Sequence, residues 1–436
     1  MKTIPIRLLA SAALGMSLIT GCDTSSTKKE AAETPAAETA GASAALPASL
    51  KPGHWKGWVM AQNKAIYFAF DVATEAGKPV VYLINKGLSG EERLRCDEIS
   101  SAGDSTTIRL HAFDAALVVR PEGADKLTGT WVKYDAKTPY RVPLVALRGE
   151  RPQPQPEAGT PDFAGTWRVT FKEDEGKTYP AVGIFKQQGT SITGTFLTTT
   201  GDYRYLSGAV LPSGMGLSTF DGSHAFLFQA NKLADGTLKG DFYSGKSGHE
   251  TWTAVLDPKA KLPDAGTLTY LKKGQSRLDF KFPNVFEGGA VSPTDPKYQG
   301  KVVVVQILGS WCPNCMDETN FLAPWYEKNK ARGVEVIGLG YERSPDYKVA
   351  SARLRNMRER FNIGYDVAVA GVSNKDSVAK SLPQLAKFLA FPTTIFLDKK
   401  GNVRKIHTGF AGPGTGKYYQ EEIAGFNREV DKLLKE

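Results

Sequence analysis

The spacing of apolar residues along this chain divides it into two regimes. Between about residues 54 and 257, apolar and polar positions alternate in short runs, as in Ile108-Arg109-Leu110 and Trp252-Thr253-Ala254-Val255-Leu256. A period of two marks half-buried strands. Turn formers such as Glu122-Gly123 and Asp235-Gly236 punctuate these runs, and the even spacing predicts about eight short antiparallel strands per segment. From about residue 277 the pattern changes to apolar strands alternating with helical periodicity. Strands are expected over 302–308, 334–339, 367–370, 393–397 and 403–408. Ala350, Leu354, Met357 and Phe361 line one face of a helix, as do Tyr419, Ile423, Phe426, Val430 and Leu433 near the end. Asp398-Lys399-Lys400-Gly401 reads as a turn between antiparallel strands. This part predicts a mixed sheet with helices on both faces.

The two β-rich segments, 54–150 and 163–257, match one another. Trp55 or Trp58 pairs with Trp167, Leu127-Thr128-Gly129-Thr130-Trp131 with Leu238-Lys239-Gly240-Asp241-Phe242, and the strand at 142–147 with 252–256. The expected fold class is multidomain: two tandem antiparallel all-β domains, each a barrel or sandwich, followed by an α/β domain at 277–436. The Gly-x-Trp openings resemble those of lipocalin- or avidin-like barrels. Five of the seven tryptophans lie in these segments. They serve either core packing or a docking surface. Cys96 reads as a small buried hydrophobe, with a third redox thiol as the alternative.

Segments between these regions are poor in apolar residues. Residues 22–53 are rich in Ala, Thr, Glu, Ser and Pro and lack aromatics, the composition of a disordered linker. As a flexible coil it reaches on the order of 30 Å. Arg151-Pro152-Gln153-Pro154-Gln155-Pro156 is a polyproline-like spacer, and a third break lies at 257–275. Residues 1–21 read as a leader: Lys2 and Arg7 precede a short apolar stretch that ends in Ile19-Thr20-Gly21-Cys22. This ending resembles the bacterial lipobox, which implies that Cys22 is lipidated and anchors the chain to a membrane. In enteric bacteria an aspartate at the place of Asp23 resembles an inner-membrane retention signal; inner and outer membrane both stay open. Loss of Lys2 and Arg7 with the leader takes the formal charge from +9 to +7. The positive charges are scattered, without a basic run interleaved with aromatics, so nucleic acid is not an expected partner.

The chemistry concentrates at Trp311-Cys312-Pro313-Asn314-Cys315, directly after the apolar run Val302–Leu308. Two cysteines three apart at a helix start are close enough to form a disulfide. The helix N-terminus favours a thiolate on the first of them, and the thiolate is the attacking species in disulfide exchange. Cys312 is therefore the expected nucleophile and Cys315 the resolving thiol. A zinc site would need two more ligands at matching spacing, and none is present. No metal and no cofactor are expected.

Residues 277–436 resemble the TlpA/ResA-like group of membrane-anchored thiol–disulfide oxidoreductases, which have a thioredoxin fold. The resemblance rests on Gly300-Lys301-Val302-Val303, on Trp311-Cys312-Pro313-Asn314-Cys315, on Glu318 and on Phe391-Pro392-Thr393-Thr394-Ile395-Phe396-Leu397-Asp398. It implies that Pro392 is a cis-proline facing the disulfide and that Phe391 pairs through its backbone with an extended substrate. It also implies that Trp311, Pro313 and Thr393 border the substrate, and that Glu318 is an active-site carboxylate able to exchange a proton with Cys315. Three features depart from the pattern. Gln306 stands where thioredoxins bury an aspartate, which moves proton relay to Glu318 or water. Asn320 replaces a frequent proline, and the stretch from 341 to 389 reads as a helical insertion.

These readings converge on a lipid-anchored envelope protein disulfide reductase, on the periplasmic side, exchanging dithiols with disulfide-containing envelope proteins and recharged by an integral-membrane thiol electron donor. The alternative is an envelope lipoprotein whose β domains bind a ligand or partner and whose redox domain is accessory.

Overall fold

The computed structural model describes Pro47 and residues 50–436, apart from 111–112, 135–137, 139, 150–154, 156–158 and 287. The leader, Cys22 and nearly all of the expected first linker lie outside the described residues. The linker's last residues do not run free: Leu50 is buried, and the Lys51 carbonyl accepts the Trp55 indole N–H at 2.9 Å.

Two nine-stranded antiparallel sheets come first. In one, strand Gly53–Ala61 pairs with Lys64–Glu75 on one side and Tyr140–Arg148 on the other, and the outermost strands, Gly90–Cys96 and Ile99–Ala102, do not meet. This sheet is a half-barrel. Its edge strand carries Glu91, Glu92, Arg93 and Arg95, charges that discourage further pairing at an edge. In the second sheet, Thr178–Gln188 pairs with both Gly165–Glu173 and Ser191–Thr198, which closes a barrel. The short strand Gly201–Asp202 folds back on Ser191–Thr198 beside it. The barrel-or-sandwich expectation thus resolves into one open and one closed sheet.

The internal match has a structural basis. Trp55 and Trp167 are both buried, and each donates its indole N–H to the carbonyl four residues earlier, Lys51 and Phe163. Trp58 is only half-buried. Gly129 and Gly240 lie where neighbouring strands come too close for a side chain. A Cβ would sit 2.0 Å from the Val118 carbonyl oxygen in the first sheet and 2.2 Å from that of Gln229 in the second. In the closing strands, Leu144 rather than Val142 corresponds to Trp252, because these two lie opposite the paired glycines. Four of the five tryptophans of these sheets are core residues. Cys96 is buried in the first sheet, its Sγ 3.7 Å from the Leu94 carbonyl oxygen.

The C-terminal domain is a five-stranded mixed sheet. Strands β1 (Val302–Leu308), β2 (Val334–Glu342), β3 (Asp366–Val372), β4 (Thr393–Leu397) and β5 (Val403–Thr408) are ordered β3-β2-β1-β4-β5. The first three are parallel; β4 runs antiparallel to β1, and β5 antiparallel to β4. Every residue of β1 is buried. Val302, Val304 and Leu308 join the core formed with helices α1 (Pro313–Asn329), α2 (Tyr347–Phe361) and α4 (Lys417–Lys435), while Val303, Val305 and Ile307 face α3 (Lys375–Ser381). This is a thioredoxin-like arrangement. The stretch from 341 to 389 is more than a helical insertion: it carries α2, β3 and α3, and β3 extends the sheet. The break expected at 257–275 is also bound to the domain. Thr269 is fully buried and hydrogen-bonds Thr408 at 2.8 Å, and Tyr270–Leu271 pairs with Leu385–Lys387.

Candidate active site

Cys312 is the N-cap of α1. Its Sγ accepts the Cys315 N–H at 3.3 Å, and Pro313 takes the first helical position, where a missing N–H costs nothing. The sulfur therefore sits at the positive end of the helix, where negative charge is favoured. Both cysteines are free thiols. Cys315 is completely buried, which drives its thiol well above its ordinary pKa, with the neighbouring Cys312 sulfur adding to the rise. The turn that presents the pair is fixed by Glu342 at the end of β2. Its buried carboxylate accepts the Ser310 N–H at 2.8 Å and hydroxyl at 2.7 Å.

Glu318 lies one helical turn beyond Cys315, facing β1. It is buried, accepts Gln306 Nε2–H at 2.8 Å and also accepts the Thr394 hydroxyl. Burial outweighs these donors and pushes its pKa up to about 7. Gln306 is the polar residue of β1, and its Oε1 is 3.4 Å from the Tyr365 hydroxyl. The neutral amide in place of a second carboxylate leaves Glu318 as the carboxylate whose charge acts on Cys315.

On the other side of the cysteines, the Phe391–Pro392 peptide bond is cis, as the resemblance implies. Pro392 and Thr393 are buried, and the Thr393 hydroxyl donates to the Ala390 carbonyl at 2.7 Å. Phe391 meets Trp311 edge-on at 5.5 Å. The Trp311 indole N–H donates to the Tyr341 carbonyl at 2.9 Å, and the Arg343 guanidinium lies over its ring.

Sequence reasoning missed the contribution of the barrel, whose loops cover the cysteines. Asn314, between them, donates to the Asp202 carbonyl at 3.2 Å and to its carboxylate at 3.3 Å. Asp202 also accepts the Gly412 N–H at 2.7 Å, and burial raises its pKa to about 7. Arg204 makes two 2.7 Å hydrogen bonds to Asp317 on α1 and contacts Glu92 of the half-barrel and Asp221 of the barrel. The Ser223 hydroxyl is 3.3 Å from the Trp311 carbonyl oxygen. Cys312 is consequently only 6 % exposed. No spacing rule could have found these residues, since each contact with the C-terminal domain joins positions 88 or more apart.

Residues 272–421 match the Redoxin family model. Over 155 residues the chain is 27 % identical to the thiol–disulfide oxidoreductase ResA of Geobacillus thermodenitrificans, a match that covers 36 % of this chain and 80 % of the relative. It is 24 % identical over 153 residues to the thiol:disulfide interchange protein DsbE of Escherichia coli K12, covering 33 % of this chain and 68 % of that protein. Among solved structures, a thioredoxin-family thiol:disulfide interchange protein from Chlorobium tepidum aligns at 20 % identity over 37 % of this chain and 98 % of its own, with a TM-score of 0.29. The chain therefore carries a Redoxin domain over residues 272–421.

Proposed function

We propose, from the premise that the C-terminal domain is a Redoxin domain with a thioredoxin-like fold, that this chain is a thiol–disulfide oxidoreductase that reduces disulfides of extracytoplasmic proteins. The observation that carries the reading is Cys312 at the N-cap of α1, with Cys315 one turn in and Glu318 buried beneath. The Cys312 thiolate attacks a substrate disulfide, one substrate sulfur leaves as a thiolate, and a mixed disulfide forms. The Cys315 thiol then gives up its proton as its sulfur attacks Cys312. The Cys312–Cys315 bond closes, and the second substrate sulfur leaves reduced. Two electrons pass from the dithiol to the substrate, and no cofactor takes part. Trp311, Pro313, Phe391, Pro392 and Thr393 border the substrate, with the Phe391 backbone as its pairing partner.

The finer reading places the chain on the periplasmic side of the envelope, lipid-anchored at Cys22 and recharged by an integral-membrane thiol donor. The similarity to ResA and DsbE supports it, as does the lipobox resemblance. No described helix is long and apolar enough to cross a membrane. Replacing Cys312 by Ser is expected to abolish disulfide reduction; full retention would refute the mechanism. A reduction potential near or below about −220 mV fits a reductant, whereas one near about −120 mV would indicate an oxidant that introduces disulfides.

One observation favours the alternative, a binding function in the β domains. A cleft of about 1110 Å³ lies between the half-barrel and the barrel, bordered by Lys56, Lys64, Tyr67, Lys86, Gln229 and Lys239. If this cleft recruits substrate, sealing it with Gly216→Trp, where a Cβ meets nothing within 4 Å, would slow reduction of native substrates and leave insulin reduction unchanged.

A further inference from the structure

Glu318 presents a problem that the dithiol cycle must solve. It is buried beneath the two cysteines, the barrel covers their front, and it still has to exchange a proton with solvent in every cycle. A histidine lies within electrostatic reach of it. His407 on β5 is the direct cross-strand partner of Thr394, the residue whose hydroxyl holds Glu318. Such partners have Cβ atoms about 5 Å apart on the same face of a sheet. His407 Nε2 lies 2.8 Å from a carboxylate oxygen of Glu422 on α4. Glu318, Thr394, His407 and Glu422 all line one cavity of about 310 Å³, whose lining also includes Gly201 of the barrel and Pro263 of the interdomain segment. That volume has room for several water molecules among polar partners.

We propose that the His407–Glu422 pair is the proton outlet of Glu318, relaying the proton released by Cys315 through this cavity to solvent. The proposal rests on the dithiol mechanism above and adds the step that mechanism leaves open. When Cys315 attacks Cys312, its S–H proton passes to the Glu318 carboxylate. The carboxylic acid then returns to carboxylate by giving its proton, through cavity water, to the imidazole of His407, and the imidazolium releases it past Glu422. No electrons move in this relay, so it needs no further reactant. Burial disfavours the imidazolium, but the hydrogen bond and charge of Glu422 and the charge of Glu318 outweigh it, and the ring holds a proton more readily than an ordinary histidine. The other titratable groups facing it are Lys405 on its own strand, which opposes protonation, and Tyr418 and Glu421 on α4. The pair acts through Glu318, so His407 and Glu422 are positioning residues.

The test is single-turnover reduction of a disulfide-bonded peptide by the full chain from pH 5.5 to 9, resolving attack by Cys312 from closure by Cys315. His407→Gln should leave the first step unchanged and slow the second about tenfold above pH 7. Millimolar imidazole should restore most of the loss, which a packing defect would not allow. Glu422→Gln should show the same pattern more weakly, and it carries the test if H407Q does not fold. An unchanged closure rate, or a slowed one that imidazole does not restore, overturns the relay. Absence of Cys312-dependent attack in the unaltered protein would instead refute the dithiol reading, and the relay with it.

Discussion

Glu318 shows how one residue's surroundings set its chemistry. The carboxyl is buried against Gln306 and Thr394, and its pKa rises to about 7. A carboxyl that binds its proton more tightly when folded stabilises the protein below its unfolded pKa of 4.5. That stability is lost as pH rises through about 7, because the native state then holds an extra proton that the unfolded chain has already released. The full effect is on the order of 3 kcal/mol. Replacing Glu318 by Gln should therefore flatten the fall in urea stability between pH 5 and 8 relative to the unaltered chain. Parallel slopes for the two proteins would show that Glu318 titrates as an ordinary surface acid. The motif and the resemblance made Glu318 visible in the sequence. Its raised pKa was not visible, because it comes from burial, which outweighs the hydrogen bonds of Gln306 on β1 and Thr394 on β4, residues 12 and 76 positions away in the chain.

At the scale of elements, the β sheets depend on glycines where strands crowd. Gly129→Ala and Gly240→Ala would each drive a Cβ to about 2 Å from a backbone carbonyl oxygen, in Val118 and Gln229. Restricting the unfolded chain favours alanine by about 0.4–1 kcal/mol, while overpacking against backbone costs about 1–3 kcal/mol. The clash wins, and both variants should unfold at lower urea concentration. An unchanged midpoint would mean that the strands separate easily. The elements themselves were readable: the face Ala350–Leu354–Met357–Phe361 is buried as its spacing requires, and of the second face Phe426, Val430 and Leu433 are buried while Tyr419 and Ile423 are half-buried. Local periodicity does not say whether a sheet closes. That depended on whether strand Thr178–Gln188 found a second neighbour, as it did in the barrel and as Gly90–Cys96 did not in the half-barrel.

At the scale of the whole molecule, Arg204 ties the three domains together. Its buried guanidinium meets Glu92, Asp221 and Asp317, one acid from each domain. Removing one partner of such a group strands buried charge, at a cost of about 3–5 kcal/mol. Arg204→Met should lower stability by that amount, and Asp317→Asn in the same chain should recover part of it. The same variant should loosen the barrel from α1 and speed alkylation of Cys312 by a bulky maleimide. If alkylation is no faster, the barrel does not limit access to the cysteine.

By itself the sequence determined the elements and the redox pair. Hydrophobic period, helix capping and the Cys-x-x-Cys spacing are local properties, and a strand of seven buried residues followed by Cys312 admits few other arrangements. Only the tertiary structure decided what surrounds that pair. Burial and ion pairing depend on residues distant in the chain, so the Asp202 and Arg204 contacts that cover the cysteines, and the cavity joining Glu318 to His407 and Glu422, exist only once the domains have packed.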